Sequence, residues 1–224
     1  MHCLNLGSGI DFELFIYLHK DKLIPSLNSV DMNYHTVEHV DLSFDHSCDE
    51  KLKYLMNNKQ EKVSRLRNTF KKYDVFEFLQ NYKKRDVDFI SASRFFEHIK
   101  YDRIGELLYL LYGISRPSAQ LSIIVPDYNK VFETLSNLDL ESNPIPFQEK
   151  LIQIHTEVFN EISDPHRSIW NEQLAYYYIT MEHYWDIKNI DPISLDGRDW
   201  YLQIDCERIN HDYTKNHHTD TVRY

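Results

Sequence analysis

A short glycine motif near the start of the chain gives the first indication of chemistry. An apolar run at residues 4–6 ends at once in Gly7-Ser8-Gly9. Glycines that directly follow a buried strand let the backbone approach a ligand closely, and the start of the next helix offers free N–H groups and a positive dipole end. This arrangement suits a nucleotide or the carboxylate of an amino acid. Because Gly-x-Gly is common, the motif gains specificity only from the residues that follow it.

Two acidic residues follow the glycine motif at positions that suit the same ligand. Asp31 ends a strand predicted over residues 27–32. It lies about twenty residues beyond the loop, where a carboxylate can accept both hydroxyl protons of a ribose. Asp41 ends a further strand predicted over residues 37–42, and there it can meet an adenine amino group. The pattern therefore predicts a nucleotide site at the carboxyl ends of adjacent strands.

Alternating strands and helices are predicted to hold these residues in place. The strands of the first half are predicted at residues 4–6, 27–32, 37–42, 87–92 and 119–125, and the helices at 12–19, 49–82 and 103–111. Gly113 is expected to end the last of these helices, and Arg116-Pro117 to turn the chain into the strand at 119–125. Such alternation is typical of right-handed βαβ crossovers and a parallel sheet.

The second half of the chain follows a different order. Helices are predicted over residues 147–162 and 169–181, and strands over 184–195 and 198–208. The turn Asp196-Gly197 joins these two strands into an antiparallel hairpin. We therefore expect a single α/β domain over residues 1–209, with helical insertions at about 49–85 and 130–182 and a polar tail at 210–224.

Composition limits the classes of function. The formal net charge is −10 and the pI about 5.6, which argues against a protein whose main task is to bind a phosphate backbone. The chain contains 3 widely spaced cysteines, so neither a disulfide framework nor a thiolate zinc site is expected. No window reaches about 18 apolar residues, so no membrane span is expected. A reducing, cytoplasmic location fits these features.

One motif suggests a metal but fits it poorly. The segment His35-Thr36-Val37-Glu38-His39 matches the H-x-x-E-H pattern of inverted zinc peptidases, which needs both histidines on a helix. The β-branched residues within and after it indicate a strand instead, which would hold the two imidazoles too far apart. No metal site is therefore predicted from the sequence.

Taken in order, five segments resemble the class I S-adenosylmethionine-dependent methyltransferases, and most of all the methyltransferase type 11-like group. They lie at residues 4–9, 30–31, 40–43, 91–99 (SASRFFEHI) and 121–128 (LSIIVPDY), with a weaker similarity at 164–168. The resemblance implies a Rossmann-like sheet that is mostly parallel, ends in the antiparallel hairpin and carries helices on both faces. It also implies S-adenosylmethionine as the cofactor.

The resemblance further implies a role for individual residues. Gly7 and Gly9, with Ser8 between them, would pass close to the methionine part of the cofactor, and Asn5 stands where many members carry an acid. Asp31 would bind the ribose and Asp41 the adenine, with Met32 and Leu42 beside them, and Ser93 would lie near the methyl group. The pattern departs from the family at Asp11, where a third glycine is usual, so the path of the loop is open.

Three residues are candidates for binding the methyl acceptor or removing its proton: His98, Asp127 and His166. Methyl transfer is an in-line displacement, and a base is needed only when the acceptor is protonated. Each candidate also has a structural alternative. His98 could cap the following helix, Asp127 could cap the next segment, and His166 could pair with Asp164.

The acceptor itself stays open among a small molecule, a glycan and a modified nucleoside. The aromatic run at residues 176–178 could line its pocket, although such a run more often packs a helix on its sheet. A catalytically inactive binding or assembly module is the alternative to an enzyme. A nicotinamide oxidoreductase shares the glycine loop and Asp31, but it is disfavoured because the Gly-x-Gly-x-x-Gly pattern fails at Phe12.

Overall fold

A seven-stranded sheet forms the centre of the protein in the computed structural model, which describes residues 1–7, 35–41, 66–137, 166–195 and 197–210. Its strands are β1 (His2–Leu6), β2 (His35–Val40), β3 (Leu66–Lys71), β4 (Val87–Ser93), β5 (Ser115–Pro126), β6 (Trp185–Leu195) and β7 (Arg198–Arg208). They lie in the order β3-β2-β1-β4-β5-β7-β6. The first five strands run parallel, and β7 is antiparallel to both β5 and β6. The predicted parallel sheet with a closing hairpin is confirmed.

Helices cover both faces of this sheet. They are α1 (Val75–Asn81), α2 (Ile104–Ile114), α3 (Tyr128–Ser136) and α4 (Glu172–Thr180), with short 3-10 turns at Phe96–His98 and Tyr101–Arg103. The larger hydrophobic cluster joins α1, α2 and α4 to one face of the central strands. A smaller cluster packs α3 against the opposite face around Ile124, Trp200 and Tyr201. None of the described helices is long and apolar enough to cross a membrane.

The third strand corrects the prediction of a helix over residues 49–82. Residues 66–71 (Leu-Arg-Asn-Thr-Phe-Lys) form β3 at the edge of the sheet, and within 66–82, the part of the predicted range that the structure describes, only α1 is helical. Its register with β2 runs from His35↔Leu66 to Val40↔Lys71. An edge strand needs one buried face at most, so charged residues are tolerated there and the usual apolar alternation is lost.

Two smaller predictions about the region around α2 were also wrong. Gly113 lies inside α2, which continues to Ile114, rather than ending it. Arg116 and Pro117 lie within the irregular first part of β5 instead of before it, where the register with β4 shifts between Val87 and Phe89. Ser118, at φ 61°, is the residue that absorbs this irregularity. The predicted elements at 12–19, 27–32 and 147–162 lie outside the described residues.

Candidate functional site

The carboxyl ends of the parallel strands meet at one edge of the sheet and are tied together there by backbone hydrogen bonds. Gly7 N donates to Val40 O at 3.0 Å, and Asp41 N donates to Lys71 O at 3.1 Å. Arg94 N donates to Ile124 O at 2.8 Å. These bonds fix the positions of the strand ends relative to one another. The residues that follow each strand therefore lie together at this edge.

The position of Asp41 differs from its prediction. It was expected to end the third strand, but β2 pairs directly with β1, and Asp41 follows this second strand. The strand predicted to end at Asp31 lies outside the described residues, as do Asp31 itself, Met32, Leu42, Ser8 and Gly9. Among the residues that the structure describes, Asp41 is therefore the carboxylate next to the glycine motif.

Gly7 lies at the point where the sheet reverses its order, since β1 has β2 on one side and β4 on the other. Ligands of open α/β sheets bind at such a switch point. Gly7 has φ +63°, and a Cβ built on it would lie 2.3 Å from Cδ2 of Phe95. Only glycine fits this backbone conformation and this space, which is the physical reason for the motif.

Asn5 and His39 form a buried pair beneath this loop. The two residues are direct partners across β1 and β2, and Asn5 Nδ2 donates to His39 Nδ1 at 3.0 Å. Both are almost fully buried, at 4% and 1% exposure. His39 and His35 lie on a strand and not on a helix, so the geometry of an inverted zinc peptidase is absent from this segment. The interaction of Asn5 supports the strand end from inside the sheet.

The residues after β4 form the opposite wall of the switch point. Ser93 Oγ is buried and has no hydrogen-bond partner among the described residues. Arg94 follows with φ 53°, an uncommon conformation for a side chain that is not glycine. Such strain is often found at functional sites. No local pattern predicted this conformation, because arginine is not a typical turn residue.

Glu97, His98 and His166 come together beyond this strained residue. One potential ligand atom from each lies within 4.8 Å of the others. The rings of His98 and His166 meet edge to face, with centroids 4.8 Å apart. Two of the residues predicted as catalytic are therefore in contact, and Glu97 joins them. The sequence could not reveal this contact, because residues 98 and 166 lie on separate segments.

His166 also contacts Tyr128 at the start of α3. Tyr128 Oη and His166 Nδ1 are hydrogen-bonded at 2.9 Å. Burial, and to a smaller extent the nearby His98, lowers the pKa of His166 to about 4. Burial raises the pKa of Tyr128, and the charge of Glu97 adds to this rise. The His166 imidazole is consequently neutral at neutral pH.

The segment that carries His166 is fixed to the turn that carries His98. Arg167 N and Ser168 N both donate to Glu97 O, at 2.6 and 3.1 Å. Ser168 Oγ donates to Phe96 O at 3.0 Å and accepts from Trp170 Nε1 at 2.9 Å. Because the bonds of Ser168 Oγ are buried, they help to hold the two histidines in a fixed relation.

Asp127, the third predicted catalytic residue, begins α3. Its Oδ1 accepts from Asn129 N at 3.0 Å, in agreement with the structural alternative of a capping role. His98 makes no capping hydrogen bond to the helices that follow it, so its alternative was wrong. Asp164 lies outside the described residues. His98 and His166 therefore lie together, whereas one carboxylate oxygen of Asp127 accepts a hydrogen bond at the start of α3.

Tyr176 and Tyr177 do not pack α4 on the sheet. Their side chains are 48% and 59% exposed, whereas Ala175 and Ile179 are the buried residues of α4. Tyr178 alone of the three packs inward, with its ring centroid 4.9 Å from that of Trp170. The packing interpretation of the aromatic run is therefore wrong for its first two members, and the pocket interpretation stays a prediction.

Asp74 is a candidate that sequence reasoning missed. It follows β3 at the same edge of the sheet and caps α1, where its side chain accepts from Phe76 N and Glu77 N. The signal was present as Asp74-x-x-Glu77, the pattern of a capping box. It was overlooked because the whole region was interpreted as helical.

Comparison with known proteins gives matches at the level of structure. No protein-family model matches the chain, and no curated protein matches it in sequence. A SAM-dependent methyltransferase from Methanosarcina mazei matches with TM-score 0.55 and 10% identity, over 93% of this chain and 92% of that one. A 1,6-didemethyltoxoflavin-N1-methyltransferase from Burkholderia thailandensis, solved with its substrate and S-adenosylhomocysteine, matches with TM-score 0.57 and 13% identity, over 93% and 71%.

A further match is an N,N-8-amino-8-demethyl-D-riboflavin dimethyltransferase from Streptomyces davawensis, with TM-score 0.55 and 13% identity. The match covers 93% of this chain but only 50% of that enzyme, so this chain spans half of its length. All three solved structures share the strand arrangement described above at an identity that establishes fold and nothing finer. This chain therefore has the fold of the class I SAM-dependent methyltransferases.

Proposed function

We propose that this protein transfers a methyl group from S-adenosylmethionine to a small-molecule acceptor. The observation that carries the proposal is the geometry around Gly7. A left-handed glycine at the switch point faces Phe95 on one side and is bonded to the strand that ends in Asp41 on the other. A site of this shape admits a ligand to the backbone of the loop and offers it a carboxylate.

The residues at this edge fit S-adenosylmethionine. A side chain at Gly7 would collide with Phe95 and displace the backbone at the switch point, and Ser93 Oγ is a buried polar atom that lacks a partner among the described residues. When bound, this cofactor supplies an activated methyl group on a positively charged sulfur. Gly7 would hold its methionine part, together with Ser8 and Gly9, and Ser93 would lie near the methyl group.

We assign the ribose to Asp41 rather than to Asp31. The strand next to β1 is β2, and Asp41 is the residue that follows it. A carboxylate in this place accepts hydrogen bonds from both ribose hydroxyls, the role that the resemblance gives to the residue after the second strand. The strand on the other side of β2 is β3, and Asp74 follows it at the same edge of the sheet. We therefore assign the contact with the adenine to the Asp74 carboxylate. Asn5 supports the loop through His39 and need not touch the ligand.

The acceptor would bind beyond Ser93, where His98 and His166 meet and Asp127 begins α3. Both imidazoles can accept a hydrogen bond from an acceptor hydroxyl or amine. The reaction forms a bond between the acceptor's lone pair and the methyl carbon, and the carbon–sulfur bond breaks with its electron pair left on sulfur. A protonated acceptor also gives up a proton, for which an imidazole or the Asp127 carboxylate is a suitable receiver. A small molecule is favoured because the matching enzymes from B. thailandensis and S. davawensis methylate small heterocycles.

Calorimetric titration with S-adenosylmethionine and S-adenosylhomocysteine tests the proposal. Hydrogen bonds to a charged group contribute about 1.5–3 kcal/mol, so Asp41→Asn should weaken binding by roughly ten- to a hundredfold. Asp102→Asn, which changes an exposed carboxylate in a 3-10 turn, is the matched control and should bind as the unchanged protein does.

Two outcomes would change the proposal in different ways. If Asp31→Ala abolishes binding while Asp41→Asn does not, the ribose assignment is wrong but the cofactor stands. If neither ligand produces heat with the unchanged protein, the methyltransferase proposal fails and a non-catalytic module is the better explanation. Binding would justify a screen of hydroxyl- and amine-bearing heterocycles with a labelled methyl donor.

A further inference from the structure

Three potential metal ligands converge at the carboxyl edge of the sheet. Glu97, His98 and His166 each offer one ligand atom within 4.8 Å of the other two. Their types matter as much as their separation, because two imidazoles and one carboxylate form a common set of three protein ligands at catalytic zinc sites. The same set is found at iron(II) sites with open coordination positions.

The cluster differs from an accidental group of surface residues in its burial and its support. Glu97 is only 1% exposed, so it lies in the interior of the protein and not on its surface. The backbone on both sides is fixed, since Arg167 N and Ser168 N bond to Glu97 O. The edge-to-face packing of Phe96 on Trp170, with centroids 5.7 Å apart, joins the same two segments.

The arrangement of His166 resembles that of a supported metal ligand. One ring nitrogen, Nδ1, is hydrogen-bonded to Tyr128 Oη at 2.9 Å. Metal-binding histidines usually make such a bond through the nitrogen that does not bind the metal, because it fixes the ring and the tautomer. Nε2 of His166 is then the nitrogen available to a cation.

We propose that Glu97, His98 and His166 bind one divalent transition-metal cation, of which Zn²⁺ and Fe²⁺ best suit the ligands. Imidazole ligands select such ions over Mg²⁺ and Ca²⁺, which prefer oxygen. In a tetrahedral site with bonds of about 2.0–2.1 Å, ligand atoms lie roughly 3.3 Å apart. The side chains would therefore close by rotation about their own bonds, while the backbone stays in place.

Three protein ligands leave at least one coordination position open. An acceptor hydroxyl bound there would lose its proton to solvent more easily, because a bound cation lowers the pKa of an attached oxygen. The oxygen lone pair would then attack the methyl carbon, and the imidazoles would act as ligands instead of as bases. This use of the cation rests on the proposed function, whereas the metal site itself does not.

Titration of chelator-treated, metal-free protein with Co²⁺ tests the site directly. Cobalt bound by two imidazoles and a carboxylate gives visible absorption bands, and competition with Zn²⁺ then gives the zinc affinity. We expect saturation at one equivalent. Glu97→Gln, His98→Gln and His166→Gln should each weaken binding by more than tenfold, and Tyr128→Phe should weaken it by about tenfold, as loss of an outer hydrogen bond does.

The sequence contains 12 histidines, so control variants are essential. His183→Asn changes an exposed histidine whose φ of 54° suits asparagine, and His217→Gln/His218→Gln removes a pair from the C-terminal tail. Neither control should alter the cobalt spectrum or the affinity. Should Glu97→Gln fail to fold, His166→Gln carries the test, because His166 is only half-buried.

The results separate the metal site from the proposed function. The metal site would be overturned if the Co²⁺ titration does not saturate. It would also be overturned if Co²⁺ binding persists in His166→Gln and is lost in His217→Gln/His218→Gln. Metal binding without any S-adenosylmethionine binding would uphold the site and contradict the methyltransferase. Binding of S-adenosylmethionine without metal binding would support the proposed function and contradict the metal site. As a second readout, Zn²⁺ should raise the unfolding temperature of the unchanged protein and of His183→Asn, but not that of His166→Gln.

Discussion

Replacing Gly7 by alanine should lower the stability of the protein through two separable effects. The backbone at Gly7 has φ +63°, and the added Cβ would lie 2.3 Å from Phe95 Cδ2 and 2.8 Å from Phe95 Cβ. The left-handed conformation costs about 1–2 kcal/mol for a residue with a Cβ. Overpacking against the aromatic ring adds about 1–3 kcal/mol. We expect Gly7→Ala to lower the free energy of unfolding by about 2–5 kcal/mol, the sum of the two.

Two other glycines provide matched controls. Gly197 has φ +77° but nothing within 4 Å of its added Cβ, so Gly197→Ala should carry the conformational cost alone. That cost is about 1–2 kcal/mol. Gly113 lies inside α2, also with open space, and Gly113→Ala should stabilise the protein. A helical alanine gains about 0.5–1 kcal/mol over glycine. The difference between Gly7→Ala and Gly197→Ala then measures the steric contact with Phe95.

Urea unfolding of each variant, followed by circular dichroism, gives these free energies. A double-mutant cycle with Phe95→Ala tests the origin of the steric part, because removing the ring should restore about 1 kcal/mol or more to Gly7→Ala. Equal losses for Gly7→Ala and Gly197→Ala would refute the steric argument. A cycle in which Phe95→Ala adds its own cost without any coupling would refute it as well.

Three further substitutions test the supports of the site by the same unfolding assay. Asn5→Ala should cost about 1–3 kcal/mol, because the buried His39 Nδ1 loses its amide donor; an additive double variant with His39→Leu would show that the pair does not interact. Ser168→Ala should also cost about 1–3 kcal/mol, since the buried indole of Trp170 loses its acceptor, and unchanged stability and tryptophan fluorescence would contradict this. Asp74→Ala should cost about 0.5–2 kcal/mol by removing the cap of α1, and a variant as stable as the unchanged protein would show that water replaces the cap.

The strands of the sheet centre were predictable because their sequences have one simple property. The second half of β5 is apolar in nearly every position, and β4 combines apolar residues with two small serines, as expected for parallel strands that are covered on both faces. The hairpin of β6 and β7 was equally predictable from its Asp-Gly turn, and Gly197 has the positive φ that this turn demands. Tertiary context was not needed for these elements.

The edge strand β3 was not predictable by the same reasoning. It contains two basic residues and an asparagine in a six-residue segment, and the pattern resembles a charged helix. Such a strand is stabilised by its pairing with β2, a contact that no local sequence property encodes. The missed strand had a functional consequence, because Asp74, which follows it at the same edge of the sheet, was overlooked.

The candidate site was predictable in its parts and not in its assembly. His98 and His166 were chosen separately, from a resemblance and from their residue type. Their contact depends on hydrogen bonds from residues 167 and 168 to Glu97 O, between backbone groups that are chemically the same in every sequence. The conformation of Arg94 is likewise set by its place at the end of β4. Local sequence patterns therefore do not predict the contact of the two histidines or the conformation of Arg94.

The two ends of the parallel sheet carry different polar groups. At the amino ends, His2 N donates to Asp88 Oδ2 at 2.7 Å, and Asp88 also receives Arg116 at 3.0 Å. The Asp88 carboxylate is thus bound to groups of the chain itself, although the neighbouring Nε2 of His2 has no hydrogen-bond partner in the part of the chain that the structure describes. At the carboxyl ends, the hydroxyl of Ser93 has no hydrogen-bond partner among the described residues. A buried hydroxyl without a partner destabilises a protein, so a ligand that forms a hydrogen bond with Ser93 would stabilise the fold.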